Sequence, residues 1–278
     1  GGMKTKDLRR KVKDGGPKKS PKSPLTRGLG ETAKKVKSGD ILRVDVLTLF
    51  PEMIDAYCGT AILGRAQKSG LLKVNAHQLR EWAIDKHGHV DDRPFGGGAG
   101  MVMRVEPFFE ALKALKVVRR TVARRTVTGT RDERRGTRVI LTSAKGKLFT
   151  QADAKRLSKY DRLVFLCGRY EGVDERVAEK LVDEEMCIGP YVMTGGELAS
   201  LAMIDSIARL RPGVLGQAAS LDEESWNDGV SKEYPQYTRP EVFNRWKVPK
   251  VLLSGDHAEI KKWRQGESGG DSRTKTKD

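Results

Sequence analysis

Twice in the second half of the chain, a short apolar run is cut off by glycine and followed at once by helical spacing. The first run, Leu163-Val164-Phe165-Leu166-Cys167, closes at Gly168 and leads through Arg169-Tyr170-Glu171-Gly172-Val173 into a helix from Asp174 to about Leu181. The second, Met186-Cys187-Ile188, closes at Gly189 and leads through Pro190-Tyr191-Val192-Met193-Thr194-Gly195-Gly196 into a helix from Glu197 to Leu210. In that helix Leu198, Leu201, Ile204, Ile207 and Ala208 share one face. Strand and helix in alternation argue for an α/β fold with a parallel sheet. Such folds bind ligands outside the carboxyl ends of the strands, where both glycine loops fall. Glycine lets backbone N–H and C=O groups approach a base or sugar closely. For either loop alone, ordinary turn chemistry is the plainer account. Two at matching strand ends, with a third cluster at Gly96-Gly97-Gly98-Ala99-Gly100, favour a backbone-walled cleft for an adenine-bearing ligand.

The rest of the pattern fits the same layered plan. Ile41–Thr48 reads as a buried strand stopped by Phe50-Pro51. A helix follows from about Glu52, a second ends at Gly70, and Leu71–Leu79 is strand-like. Loop-forming residues fill 85–104, and helical spacing runs from Pro107 to Leu115. Val139–Thr142 reads as a strand and Gln151–Ser158 as a helix. Residues 212–240 show no period and carry Asp222, Glu223, Glu224 and Trp226; a connection this long is functional or disordered. Val251-Leu252-Leu253 precedes a final helix opened by Asp256 and Glu259.

The net charge of +16 is concentrated. Residues 3–40 hold thirteen Lys/Arg against four Asp/Glu, and residues 116–138 hold nine against two, which together account for the whole excess. Either these are solvated, unfolded segments or they attract a polyanion such as nucleic acid. Hydrophobic content of 37% predicts disordered segments beside the core, with 1–40 the first of them. No apolar run reaches membrane-spanning length, and the start of the chain lacks a signal-peptide core. Three unpatterned cysteines, Cys58, Cys167 and Cys187, suit a reduced, cytoplasmic setting.

Several chemistries lack their signatures. There is no G-x-x-x-x-G-K-[ST], and Met101 stands where a dinucleotide fingerprint needs its last glycine. No G-x-S-x-G or Cys–His pairing points to a covalent intermediate. His87-x-His89 beside Asp91-Asp92 is a weak metal signal without supporting ligands, and salt bridging by Asp91, Asp92 and Arg93 is the expectation there. Arg209, before Pro212, reads either as a cation favoured at a helix C-terminus or as a donor to a developing oxyanion.

These residues carry a resemblance. Leu47–Met53, Val90–Gly98, Cys167–Arg176, Ile188–Leu198, Arg211–Gly216, Tyr237–Pro240 and Val251–Ile260 are collinear over about residues 41–265. The set is similar to the bacterial tRNA (guanine-N1)-methyltransferases, which modify the base 3′ of the anticodon, guanosine 37. The resemblance implies an α/β, trefoil-knotted SPOUT fold and a homodimer that binds S-adenosylmethionine and tRNA, with each site drawing on both subunits. It implies the knotted domain over 41–215 and a linker over 216–238, preceded by the basic disordered extension, 1–40, that the charge pattern marks. The C-terminal tRNA-binding domain, 239–266, departs from the family in stopping after its first helix near Arg264, and the polar residues 267–278 read as a disordered tail.

By position, the cofactor would meet Leu141, Thr142, Ser143, Ala144, Gly168, Tyr170, Glu171, Ile188, Gly189, Pro190, Tyr191, Val192, Met193, Gly195 and Gly196. Arg209 would face guanine O6, and Glu171 would orient the cofactor or a magnesium ion that family members use. The family's catalytic aspartate falls on Glu224, with Asp222 two residues earlier; either acid is a candidate base. Pro190 stands for a usual aspartate and Ala144 for a usual proline. A second reading is a catalytically weak RNA-binding module that retains the fold.

Overall fold

The computed structural model describes residues 41–117, 136–215 and 233–268. The expectations for 1–40, for most of 116–138, for Asp222 and Glu224 in 216–232, and for the tail from 269 lie outside the described residues. In chain order the elements are β1 (Leu42–Thr48), α1 (Pro51–Cys58), α2 (Ala61–Lys68), β2 (Leu72–Gln78), a 3-10 turn (Leu79–Trp82), β3 (Asp91–Asp92), β4 (Val102–Met103) and α3 (Val105–Ala114). Then come β5 (Thr137–Leu148), α4 (Gln151–Leu157), β6 (Arg162–Cys167), α5 (Glu175–Lys180), β7 (Glu184–Cys187) and α6 (Glu197–Ala208). The last are β8 (Val242–Phe243), β9 (Trp246–Lys247), α7 (Lys250–Leu253) and α8 (His257–Glu267).

Five strands form one parallel sheet in the order β2-β1-β6-β5-β7. Alternation along each strand divides its side chains between two apolar layers. Leu42, Val44 and Val46 of β1, with Leu163, Phe165 and Cys167 of β6, pack against α1, α2, α4 and α6. Leu47, Val164 and Leu166 face the other way, onto α3, α5 and the 3-10 turn. Helices thus cover both faces, as the apolar strand runs required. Asp45 is the charged exception inside β1. It accepts from His77 Nε2 at 2.8 Å, Asn75 Nδ2 at 3.0 Å and Arg162 Nε at 2.7 Å. Burial alone would raise its pKa, but the bonds from His77, Arg162 and Asn75 outweigh it and hold the carboxyl at about 2.

Two strands differ from the sequence expectation. β5 runs well past Thr142, because Met186 of β7 pairs with both Thr142 and Lys147 while the residues between them bulge out. Gly146 makes this possible: a Cβ there would lie 2.5 Å from the Met186 nitrogen. β7 begins at Glu184, before its apolar residues. Arg138 Nε donates to Glu184 Oε1 at 2.5 Å and Arg156 Nη2 donates to Oε2 at 2.6 Å, so this charge is satisfied inside the sheet. In the 233–268 segment, Asp256 caps α8 by accepting from Ala258 and Glu259. No residue of α7 or α8 is buried.

Candidate functional site

A cleft of about 420 Å³ opens at the carboxyl ends of β5, β6 and β7. Because the sheet order puts β5 between β6 and β7, the two glycine loops face one another across the end of β5. The β5 bulge supplies Ser143, Ala144 and Lys145 as a lip. Every expected cofactor residue except Pro190 lines this cleft. Pro190 is exposed, at the turn between Gly189 and Tyr191, and is not in the lining.

The two loops are tied together directly. Gly196 N–H donates to the Gly168 carbonyl at 2.9 Å. Beneath that bond lies an ion pair between Arg169 Nη2 and Glu197 Oε2 at 2.9 Å, with Glu197 only 1% exposed. Thr48 Oγ1, at the end of β1, donates to Glu197 Oε1 at 2.7 Å. Arg169 Nη1 donates to the Thr194 carbonyl at 3.2 Å, and the guanidinium carbon lies 4.5 Å from the centre of the Phe50 ring. One arginine therefore joins the first loop, the second loop and the end of β1. The glycines permit this closeness: a Cβ on Gly195 would overlap the Arg169 guanidinium, and one on Gly196 would overlap Thr142 Oγ1 and lie 3.0 Å from Cys167 Cα.

Tyr170 sits at φ 59, a left-handed conformation that costs free energy for a non-glycine residue and clusters at functional sites. Of the third glycine cluster, Gly96, Gly97 and Gly98 are exposed and away from the cleft, and only the Gly100–Met103 stretch backs it. Glu171 N–H donates to the Met101 carbonyl at 3.0 Å, Met103 N–H to the Gly172 carbonyl at 2.9 Å, and Asp174 N–H to the Met103 carbonyl at 2.9 Å. Gly100 packs against the Glu171 side chain, where a Cβ would overlap it.

Sequence reasoning quoted Arg169 and Glu197 inside the motifs but gave them no role. It also passed over Glu175, Lys145 and Glu185, all of which line the cleft. The available signal was the Glu184-Glu185 pair opening an otherwise apolar strand. Lys145 Nζ pairs with Glu175 across the rim. Cys167 is fully buried beside Ser200, and burial pushes its thiol up, so it is no nucleophile.

Of the expected catalytic residues, Glu171 lies in the cleft and Arg209 does not. Arg209 is the C-terminal cap of α6, whose other end carries Gly196. Twelve helical residues span about 18 Å, which separates the two ends. Asp222 and Glu224 lie outside the described residues. His87 and His89 turn onto Asp85, which accepts from both backbone nitrogens. Arg93 N–H donates to Asp92 Oδ1, a local turn bond rather than the expected ion pair. Among the described residues no group of three or more His, Cys, Asp or Glu is placed to hold a metal ion. Among them too, no helix is long and apolar enough to cross a membrane.

Comparison with known proteins places the chain among named relatives. The tRNA (guanine-N(1)-)-methyltransferase of Heliobacterium modesticaldum is 48% identical over 227 residues, covering 82% of this chain and 80% of that protein. The tRNA (guanine-N(1)-)-methyltransferase of Ruminiclostridium cellulolyticum is also 48% identical, with coverage of 82% and 91%. That of Limosilactobacillus reuteri is 47% identical, with coverage of 82% and 85%. The family model described as tRNA (Guanine-1)-methyltransferase TrmD matches residues 42–278, and the chain belongs to that family.

Proposed function

We propose that this chain transfers a methyl group from S-adenosylmethionine to N1 of guanosine 37 in tRNA, as a cytoplasmic homodimer with a trefoil-knotted cofactor domain and a C-terminal tRNA-binding segment. The observation that carries the reading is the convergence of both glycine loops and the β5 lip on one cleft, in a chain whose relatives are named for this reaction. Those names do not favour the non-catalytic alternative.

The residues present fit the methyl donor. Gly195 and Gly196 let the second loop pack directly on Arg169 and Thr142 at the end of the cleft, and Leu141, Ile188 and Ala199 offer apolar wall to a purine. When bound, S-adenosylmethionine supplies an already activated methyl group, so the protein needs no nucleophile of its own. The backbone of Ile188–Thr194 would hold the adenine, and Tyr170 and Glu171 would close the opposite side.

Guanine N1 carries a proton at neutral pH, and a carboxylate must take it as the methyl arrives. Glu224 or Asp222 fills that role. Negative charge then grows on O6, where a cation stabilises the transition state more than the ground state. Arg209 serves there, and its place at the far end of α6 suits a site completed by the second subunit. Magnesium, where required, would act through Glu171.

The test is tritiated methyl transfer to an unmodified tRNA transcript, followed by primer extension, which stops at N1-methylguanine. Glu224→Gln or Asp222→Asn should lower turnover by 10²-fold or more, whichever is the base. Arg209→Ala should do so by a similar factor while leaving cofactor affinity intact. Transfer unaffected by all three substitutions would defeat the mechanism, and an adduct at another base would defeat the site.

A further inference from the structure

We infer that Glu185 is a specificity residue of the cleft, and that its carboxylate accepts hydrogen bonds from the ribose hydroxyls of the bound adenosyl group. The inference rests on the methyl-donor reading and adds to it a residue with no role so far. Glu185 lies in β7, paired in register with Leu141 of β5, so it sits on the sheet itself, below the loops that form the mouth. It lines the cleft, yet its Oε1 is buried and accepts no hydrogen bond among the described residues.

Its neighbour is engaged differently. Glu184 points to the opposite face and is engaged at both oxygens by Arg138 and Arg156. Lys145, whose field reaches Glu185, gives its ammonium to Glu175 at the rim. A buried carboxylate oxygen without a donor is costly, and native structures keep such groups where a ligand supplies the bond.

The adenosyl donors are the ribose diol, the adenine amine and the ammonium of the amino-acid tail. The ammonium is the most strongly hydrated of the three and the most costly to bring down to the sheet. The amine would find its acceptors in the carbonyls of the Ile188–Thr194 loop. The diol needs an acceptor that takes two hydroxyl protons, which a carboxylate provides; acidic residues hold ribose in this way in other nucleotide-binding α/β sheets.

The experiment is a ligand and protein cycle read as binding, not turnover. Adenosine and 2′,3′-dideoxyadenosine are competed against S-adenosylhomocysteine on the full chain and on Glu185→Gln, with thermal melts as a folding control. The intact protein should prefer adenosine by about tenfold or more, the value of hydrogen bonds to a charged group. The variant should lose that preference while dideoxyadenosine binds both proteins alike. A variant that keeps the preference, or loses affinity for both nucleosides equally, overturns the assignment. The intact protein tests it even if the variant does not fold: binding of S-adenosylhomocysteine without preference for the diol overturns the role of Glu185 alone. No binding of S-adenosylhomocysteine overturns the methyl-donor reading as well.

Discussion

Replacing Glu197 by Gln should loosen the cleft from beneath. The amide keeps the volume and removes the charge, so Arg169, its side chain 18% exposed, is left with the Thr194 carbonyl, the Phe50 face and Met53 Sδ. Breaking one side of a buried ion pair costs about 3–5 kcal/mol. The ring and the carbonyl retain roughly 1–2 kcal/mol of that, so the expected loss is about 2–3 kcal/mol. For a folded region of this size about 1 kcal/mol moves the melting midpoint by 2–4 °C. The midpoint should therefore fall by roughly 5–10 °C in a calorimetric scan. Arg169→Met should cost a similar amount, because it strands Glu197 at 1% exposure. Once either partner is gone the other contributes little, so the double variant should be no worse than the poorer single one. That corresponds to a coupling of about 2 kcal/mol. Affinity for S-adenosylhomocysteine should fall in all three variants, since Arg169 also holds Thr194 in the second loop. Single effects that add to within about 0.5 kcal/mol would show that the pair is not a unit, and unchanged binding in a destabilised variant would show that it does not shape the cleft.

Gly196→Ala should abolish cofactor binding, because the new methyl meets Thr142 Oγ1 and the Cys167 backbone, neither of which can retreat. Gly189→Ala meets only the Tyr191 ring, which can rotate away, so titration calorimetry should find binding weakened but present; equal losses would refute the contrast. Asp45 gives a pH prediction. Its folded pKa of about 2 lies below the ordinary 3.8, so its contribution is complete above about pH 4 and is lost as pH falls through 2. Asp45→Asn should remove about 2 kcal/mol at neutral pH and flatten the pH dependence of urea unfolding between pH 4 and 2. A variant whose stability still tracks the parent across that window would place the acid sensitivity elsewhere.

The sequence marked the sheet strands wherever apolar runs met glycine, because a buried parallel strand and its loop leave a compositional trace. β1, β2, β6 and α6 lie within a residue or two of the expected bounds. The extension of β5 was hidden because Lys145, Gly146 and Lys147 carry no apolar signal; their pairing is set by Met186 across the ladder. The start of β7 was hidden by two glutamates whose partners, Arg138 and Arg156, lie far away in the chain. The lining of the cleft was legible for a related reason. Backbone that approaches a ligand must be written as glycine, whereas a side chain such as Glu185 can be any acid until the fold shows which way it faces.

The split between what one chain builds and what it leaves apart follows from the same geometry. The lining of the cleft comes mainly from the ends of β5, β6 and β7, braced by Thr48 and Phe50 after β1 and by the Gly100–Met103 segment, so a single copy forms it from its own contacts. Arg209 is held to the same helix as Gly196 but at its other end, and a rigid helix cannot bring both ends to one point. In the homodimer proposed above, Arg209 of a second copy would approach the cleft from outside. A twofold arrangement satisfies both copies with one contact. Binding of the donor and transfer to the acceptor should then depend on different assemblies of the same sequence: the first on each chain, the second on the pair.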